Sequence, residues 1–471
     1  MQINRLVHPG FWFEKTKVED ALKLARLGVG GFCFYGGTRK QVAELTRALR
    51  AQSPLPKILI SADYEDGLGR WLPDAEILPS NLALGAANNT DLAFEKGVLT
   101  ARQAKSLGVD WVFAPVLDLA DCPQNPIVNT RSFGEDPQLV TRLARAFING
   151  LAKGGALNSI KHFPGHGNTS TDSHMAMPTV SSSAEHLQMH ELYPFKELLP
   201  LADSVMVGHL LVPALDKNSP ASLSAKIIGG LLKTQLGYKG CVVTDALSMK
   251  ALGDEKQAAL AAFKAGAHIL LVPEKPFELL EFLHQVMLDK TLLDEAEQQQ
   301  ETLCRRAGFI SAPTAEDAFQ ETDFAERAAK QALVCQGPRV TLCPGQKVQV
   351  VEVGNDENLS SEPFIQTLRQ GGISLAQPGE KADVLVVLCW RRYQAFKGKI
   401  ALDPSEINKV QTELKNYPAH ILITLANPWA ARQLNAQSTL FTFSPAPSFQ
   451  RAAAKCLLGK FEPTGRLPIA L

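Results

Sequence analysis

Fourteen residues, Lys161 to His174 (KHFPGHGNTSTDSH), bring three histidines, a lysine and an aspartate into one stretch. Imidazole titrates near neutrality, so a histidine beside a carboxylate is a candidate general acid or base. Asp172 and His174 are separated by Ser173 alone. In an extended loop residues i and i+2 project to one side. The Asp172 carboxylate can then accept from one nitrogen of the His174 ring, fix its tautomer and raise its basicity. Taken alone, the pair also reads as a surface loop with an incidental histidine. A further carboxylate, Asp245, closes the apolar run in GYKGCVVTDALSM. It reads either as a helix N-cap or as a nucleophile on a rigid strand end. Lys161 and His162, with Asp63, Arg70 and Arg131, form a set able to bind hydroxyl groups, because charged partners strengthen such hydrogen bonds. Taken singly, each reads more simply as a structural salt-bridge residue.

Metal chemistry is the competing use of these donors. His162, His166 and His174 are spaced by three and seven residues across a proline and two glycines, which matches no usual zinc pattern. His186 and His190 are four apart in SAEHLQMHELYPF and read as a solvated helix face. Neither a metal nor an organic cofactor is expected.

Side chains of these types must be carried by elements that bring them together. The glycine-rich, polar middle of the 161–174 stretch reads as a loop, and GALNSI before it as a buried strand. Similar apolar runs occur at VGGFCFYGG, KILISAD, DWVFAPVLDL, SVMVGHLLV, GCVVTDAL and AHILLVPE. Helix-like stretches alternate with them: an amphipathic one at 17–27, DLAFEKGVLTARQAKSLG and DPQLVTRLARAFINGLAKGG. Strands apolar on both faces and alternating with helices indicate a parallel sheet. Seven or eight such units over about 300 residues fit a TIM-like (β/α)8 barrel. Asp63, Asp118, Lys161 with His162, His209 and Asp245 each follow or end one run. In a barrel they share one mouth, where such enzymes keep their active sites.

From about Ala312 the pattern changes. A polar connector leads into a helix, and strand-like runs follow at KVQVVEVG, ADVLVVLCW and HILITLAN. We expect a barrel over 1–312, a linker with a leading helix over 313–340, and a smaller three-layer α/β sandwich over 341–471. The length of 471 residues favours two domains. Lys+Arg and Asp+Glu both number 48, which argues against nucleic-acid or membrane-surface partners. No apolar run is long enough to span a bilayer. The N-terminus MQINRLVHPGFWFEK lacks the apolar core of a secretion signal. Eight scattered cysteines without a CxxC pair read as buried free thiols in a reducing compartment. A cytoplasmic monomer is expected.

The blocks SADYEDGLGRWL, LPSNLALGA, APVLDLADCPQNPIVNTRSFGEDP, KHFPGHGNTSTDSHMAMP, VMVGHLLVPALD, GYKGCVVTDALSM and GKFEPTGRLPIAL together resemble the family 3 glycoside hydrolases. Within them the chain resembles the two-domain β-N-acetylglucosaminidases that recycle peptidoglycan fragments. The resemblance implies a retaining exo-enzyme that releases terminal N-acetylglucosamine from muropeptides through a covalent glycosyl-aspartate. It implies Asp245 as nucleophile, His174 as acid/base and Asp172 as its partner. Asp63, Arg70, Arg131, Lys161 and His162 would bind the sugar, with His209 near it. One local departure is DYEDGLGRW in place of the shorter DQEGGRV-like form, which leaves the placement of Arg70 open. A β-glucosidase-like specificity is the alternative, as is phosphorolysis, since a neutral histidine repels an incoming anion less than a carboxylate does.

Overall fold

In the computed structural model, residues 2–169, 177–308, 313–320, 322–356, 358–377, 380–392 and 400–471 are described. The chain forms two compact units, and neither is contiguous. The first comprises Met1–Leu78, Ala93–Leu119 and Val140–Glu321; the second comprises Pro79–Leu92, Ala120–Leu139 and Thr322–Leu471.

Among the described residues the first unit holds nine strands: β1 (Val7–His8), β2 (Gly10–Trp12), β3 (Gly31–Tyr35), β4 (Leu59–Ala62), β5 (Trp111–Val112), β6 (Leu157–Phe163), β7 (Ser204–Val207), β8 (Cys241–Thr244) and β9 (Leu270–Leu271). β2 to β8 pair in sequence order, all parallel. β1 pairs in parallel with β9. A bridge from Val243 to Ile269 links β8 to the start of β9. The sheet is therefore a curled parallel one. The first strand, broken at Pro9, is absent from the apolar runs read in the sequence, because two short pieces around Pro9 and Gly10 leave no continuous run.

Every residue of β4, β6, β7 and β8 is buried, as strands covered on both faces require. Alternation then sorts the side chains. Cys33, Leu59, Trp111, Leu157, Met206, Cys241, Val243, Ile269 and Leu271 form one core cluster. Each such Leu, Ile, Val or Met side chain contributes roughly 1.5–3 kcal/mol of burial. Tyr35, Asp63, Lys161 and Asp245 share the parity of the core residues on their strands. Their side chains thus belong to the core-facing side, at the C-terminal ends. Helices follow the strands, including Val18–Arg26, Thr90–Ser106 and Pro137–Gly154. In the first, Ala21, Leu24 and Ala25 are buried, whereas Val18 and Leu27, the residue just after it, are exposed. Among the described residues no helix is long and apolar enough to cross a membrane.

The second unit holds β10 (Val334–Gln336), β11 (Lys347–Val353), β12 (Ser374–Leu375), β13 (Val384–Cys389), β14 (His420–Thr424) and β15 (Thr439–Phe441), in the order β10-β15-β14-β13-β11-β12. Only β10 is antiparallel among these pairings. All six residues of β13 are buried. Leu385, Val387 and Cys389 pack with Val410, Leu414, Ala430 and Leu434 of two helices, so Val384, Val386 and Leu388 face the opposite side. A Cβ on Gly85 would lie 1.8 Å from the Phe133 carbonyl oxygen, so this glycine permits the close packing of 79–92 on 120–139. The C-terminal segment completes the unit: Arg466 N donates to Ala86 O at 2.9 Å, and Glu135 N donates to Pro468 O at 3.0 Å. All eight cysteines are free thiols, four of them buried; Cys343, contrary to expectation, is exposed.

Candidate active site

The end of β6 supplies two consecutive basic residues, joined by a cis peptide. The Lys161 ammonium, 1% exposed, lies 2.6 Å from Asp63 Oδ1 and 2.6 Å from Glu65 Oε1. An unpaired buried ammonium would cost several kcal/mol; here two carboxylates offset that cost. Asp63 and Glu65 flank Tyr64, which is buried. Two residues apart on an extended segment, they project to one side. Trp71 Nε1 donates to the Asp63 carbonyl oxygen at 2.9 Å and holds this segment.

His162 is organised by Asp118, the buried carboxylate after β5. Its Nδ1 lies 2.6 Å from Asp118 Oδ2. The backbone N–H groups of His162 and His166 donate to Asp118 Oδ1 at 3.2 and 2.7 Å. Burial alone would raise the Asp118 pKa, but His162 and His166 outweigh it and the net shift is downward. Asp118 therefore stays ionised and holds a proton on His162 Nδ1. Thr169 Oγ1 donates to the His166 carbonyl oxygen at 3.1 Å and accepts from His166 Nδ1 at 2.9 Å. Burial lowers the His166 pKa to about 4, against the opposing pull of Asp118. His166 is thus a neutral, fixed part of the loop base. Gly167 is required here, because a Cβ would lie 2.1 Å from the Leu119 carbonyl oxygen.

Asp245 follows β8 and is partly exposed. Its Oδ1 accepts from Ala246 N at 2.8 Å. No helix begins at Ala246; the next helical turn is Lys250–Leu252. The N-cap reading of Asp245 is therefore set aside. His209 braces the following peptide: its Nε2 donates to Ala246 O at 3.0 Å, and its Nδ1 meets Ser222 Oγ at 2.7 Å. Trp12 and Tyr35 stack with centroids 4.8 Å apart, and Trp71 meets Tyr35 edge-on at 5.2 Å. Burial, then the nearby Cys33, Asp63 and Asp245 groups, pushes the Tyr35 hydroxyl well above its ordinary range. Tyr35 and Ala246, the residue after Asp245, pack against the same core cluster. Trp12 also lines a cavity of about 350 Å³ with Gly10, Leu24, Phe32 and Pro276.

Several of the expected residues are accordingly brought together: Lys161 is paired with Asp63, His162 is next to Lys161 on β6, and Asp245 adjoins Ala246, which packs on the core cluster that Tyr35 also meets. Arg70 lies 3.7 Å from Asp66, which also takes the fully buried Lys96 at 3.4 Å. Arg131 belongs to the second unit, where Asn81 Nδ2 donates to its carbonyl oxygen at 2.7 Å. Asp172 and His174 lie outside the described residues. Among the described residues, no group of three His, Cys, Asp or Glu could hold a metal ion. Glu65, Asp118 as a partner of His162, and the Trp12–Tyr35–Trp71 wall were not assigned from the sequence. Glu65 carried a signal, since it stands two residues after Asp63.

Residues 1–304 match the family model of the glycosyl hydrolase family 3 N terminal domain. A β-hexosaminidase of Idiomarina loihiensis is 34% identical over 265 residues, covering 54% of this chain and 79% of that protein. One of Chromobacterium violaceum is 33% identical over 338 residues, covering 69% of this chain and 91% of that protein. Among solved structures, a glycoside hydrolase family 3 β-N-acetylglucosaminidase from Paenibacillus sp. str. FPU-7 matches 100% of this chain and 98% of its own, with TM-score 0.89 and 29% identity. A β-glucoside phosphorylase matches with TM-score 0.93 at 21% identity, covering 100% of this chain and 93% of its own, a likeness of fold alone. With the family model spanning more than half of its length, and carboxylates and basic residues gathered at the ends of its parallel strands, the chain belongs to glycosyl hydrolase family 3.

Proposed function

We propose that the protein is a retaining exo-β-N-acetylglucosaminidase that removes terminal N-acetylglucosamine from muropeptides in the cytoplasm, acting as a monomer without metal or organic cofactor. The observation that carries this reading is the cluster at the strand ends. A lysine held by two carboxylates, a histidine held by a third and a separate aspartate, Asp245, stand together in a family 3 chain whose relatives include β-hexosaminidases. The curled sheet is read as a TIM-like (β/α)8 barrel over 1–312, joined by 313–340 to a three-layer sandwich over 341–471, with 79–92 and 120–139 packing with the latter.

In the first step a carboxylate oxygen of Asp245 attacks the sugar C1. The bond from C1 to the aglycone oxygen breaks, and His174 donates its proton to that oxygen. In the second step His174 takes a proton from water, the water oxygen attacks C1, and the bond to Asp245 breaks. Two displacements retain the anomeric configuration. Asp172 orients His174, as a carboxylate orients imidazole in acyl-transfer triads. Asp63, Lys161, His162, Arg70 and Arg131 bind the sugar.

Hydrolysis of 4-nitrophenyl β-N-acetylglucosaminide by wild type and by His174→Ala, each with and without azide, tests the reading. The wild type is expected to turn over. The variant should be slow on poor leaving groups and be rescued by azide, which needs no general base. Preference of the wild type for the glucoside would remove the substrate assignment. Acceleration of the wild type by phosphate, with no azide effect, would make the enzyme a phosphorylase.

A further inference from the structure

We infer that Glu65 is a positioning residue that holds Lys161 in place while Asp63 exchanges partners with the substrate. The inference rests on the proposed sugar-binding role of Asp63 and Lys161. The two carboxylates on the Lys161 ammonium are equally close, at 2.6 Å each, but unequal in access. The Asp63 side chain is 25% exposed and the Glu65 side chain 5%. A ligand can therefore reach Asp63, while Glu65 is shielded from it.

The local sequence explains the arrangement. In Asp63-Tyr64-Glu65 the alternation of an extended segment sends both acids one way and Tyr64 the other. The Tyr64 ring is buried, which anchors the segment between the two acids. When a sugar hydroxyl donates to Asp63, the hydrogen bond from Lys161 to that carboxylate weakens or shifts. Without Glu65 the lysine would then be less firmly oriented, because four rotatable bonds lead to its ammonium. Glu65 keeps the ammonium aimed throughout. It acts on the sugar only through Lys161 and touches no reacting atom.

A double-mutant cycle on 4-nitrophenyl β-N-acetylglucosaminide tests this, with Glu65→Gln, Lys161→Met and the pair, each followed by kcat, KM and Tm. Glu65→Gln is expected to lower kcat/KM by about tenfold or more, the loss typical of a hydrogen bond to a charged group. The pair should lose no more than Lys161→Met alone, since residues acting as one unit are non-additive. Glu65→Asp, which keeps the charge one methylene short, should recover part of the loss. A purely structural Glu65 would instead lower Tm and leave the kcat/KM of the folded enzyme unchanged, which overturns the inference. Losses that multiply in the pair overturn it as well. If the wild type cleaves the glucoside but not the N-acetylglucosaminide, only the functional reading falls, and the same cycle on the glucoside decides the role of Glu65. A wild type that cleaves no aryl glycoside overturns both.

Discussion

Each unit of the molecule contains a buried cation held by two carboxylates at the C-terminal ends of parallel strands. In the first unit it is Lys161, between Asp63 and Glu65. In the second it is Arg391, just after β13, paired with Asp356 and with Glu406, the latter at 2.8 Å. The charge arithmetic is the same, and the surroundings differ. Glu406 also accepts from Gly354 N at 3.1 Å and from Asp403 N at 2.8 Å, which caps the helix Pro404–Asn416. Arg391 therefore ties a strand end, a loop and a helix start together. The two acids on Lys161 stand on one short segment, and one of them remains open to a ligand. A buried ion pair is thus no sign of a site by itself; both acids on Arg391 are also partly exposed, so what distinguishes Lys161 is one shielded acid beside one accessible one, with His162 next in the chain.

The two cations should respond differently to removal of their charge. Lys161→Met is expected to reduce kcat/KM by about a hundredfold, as loss of a charge-assisted contact to the sugar would. Arg391→Met should leave kcat/KM within about twofold and instead lower stability by about 2 kcal/mol, a figure kept below the fully buried range because both acids are partly exposed. Steady-state kinetics with thermal unfolding on both variants decides between them. A catalytic defect in Arg391→Met at normal Tm would erase the contrast.

A second test sharpens it at the loop base. Acid should unsettle the first unit through two buried histidines. Burial lowers the pKa of His8 and of His166 from 6.5 to about 4. The unfolded chain then binds protons at a higher pH than the folded chain does. Stability falls as pH drops below about 6.5 and levels off below about 4, by about 2 kcal/mol per histidine at pH 5. Apparent Tm against pH should show this slope, and His8→Gln should flatten it. A Tm that is flat from pH 7 to pH 5 contradicts it. The smallest expected effect is that of Gly167→Ala. Its Cβ would press on the Leu119 carbonyl oxygen and displace the loop base that leads to His174. A loss of about tenfold in kcat is expected, since misplacing a catalytic group by about 1 Å costs this much or more. Unchanged kcat would show that the loop base yields without moving the residues beyond it.

Much of the first unit is legible in the amino-acid sequence. The apolar runs at 57–63 and 240–247 contain β4 and β8, and the run at 154–162 holds all of β6 but its last residue, Phe163, because a strand buried on both faces leaves a continuous apolar run. The broken strand around Pro9 is not legible, since two fragments of two and three residues give no periodicity. Asp63 and Lys161 stand out as residue types at strand ends. Their pairing does not, because 98 residues separate them in sequence. Asp118 is visible at the end of its run, yet its hold on His162 depends on β5 and β6 lying side by side. Arg131 is visible as a basic residue; its membership of the second unit rests on Asn81 and on Gly85 meeting Phe133, contacts that no local pattern encodes.

By itself, then, the sequence determined which chemistry-bearing residues follow or end the continuous apolar runs, because such runs and the chemistry of each side chain are read locally. Tertiary structure alone decided which acid holds which base, how far each is shielded, and that 79–92 and 120–139 pack with the distant C-terminal sheet. Hydrogen bonds and burial depend on distances in space. Those distances are set by how the strands pair and the helices pack, across separations that composition and spacing do not reach.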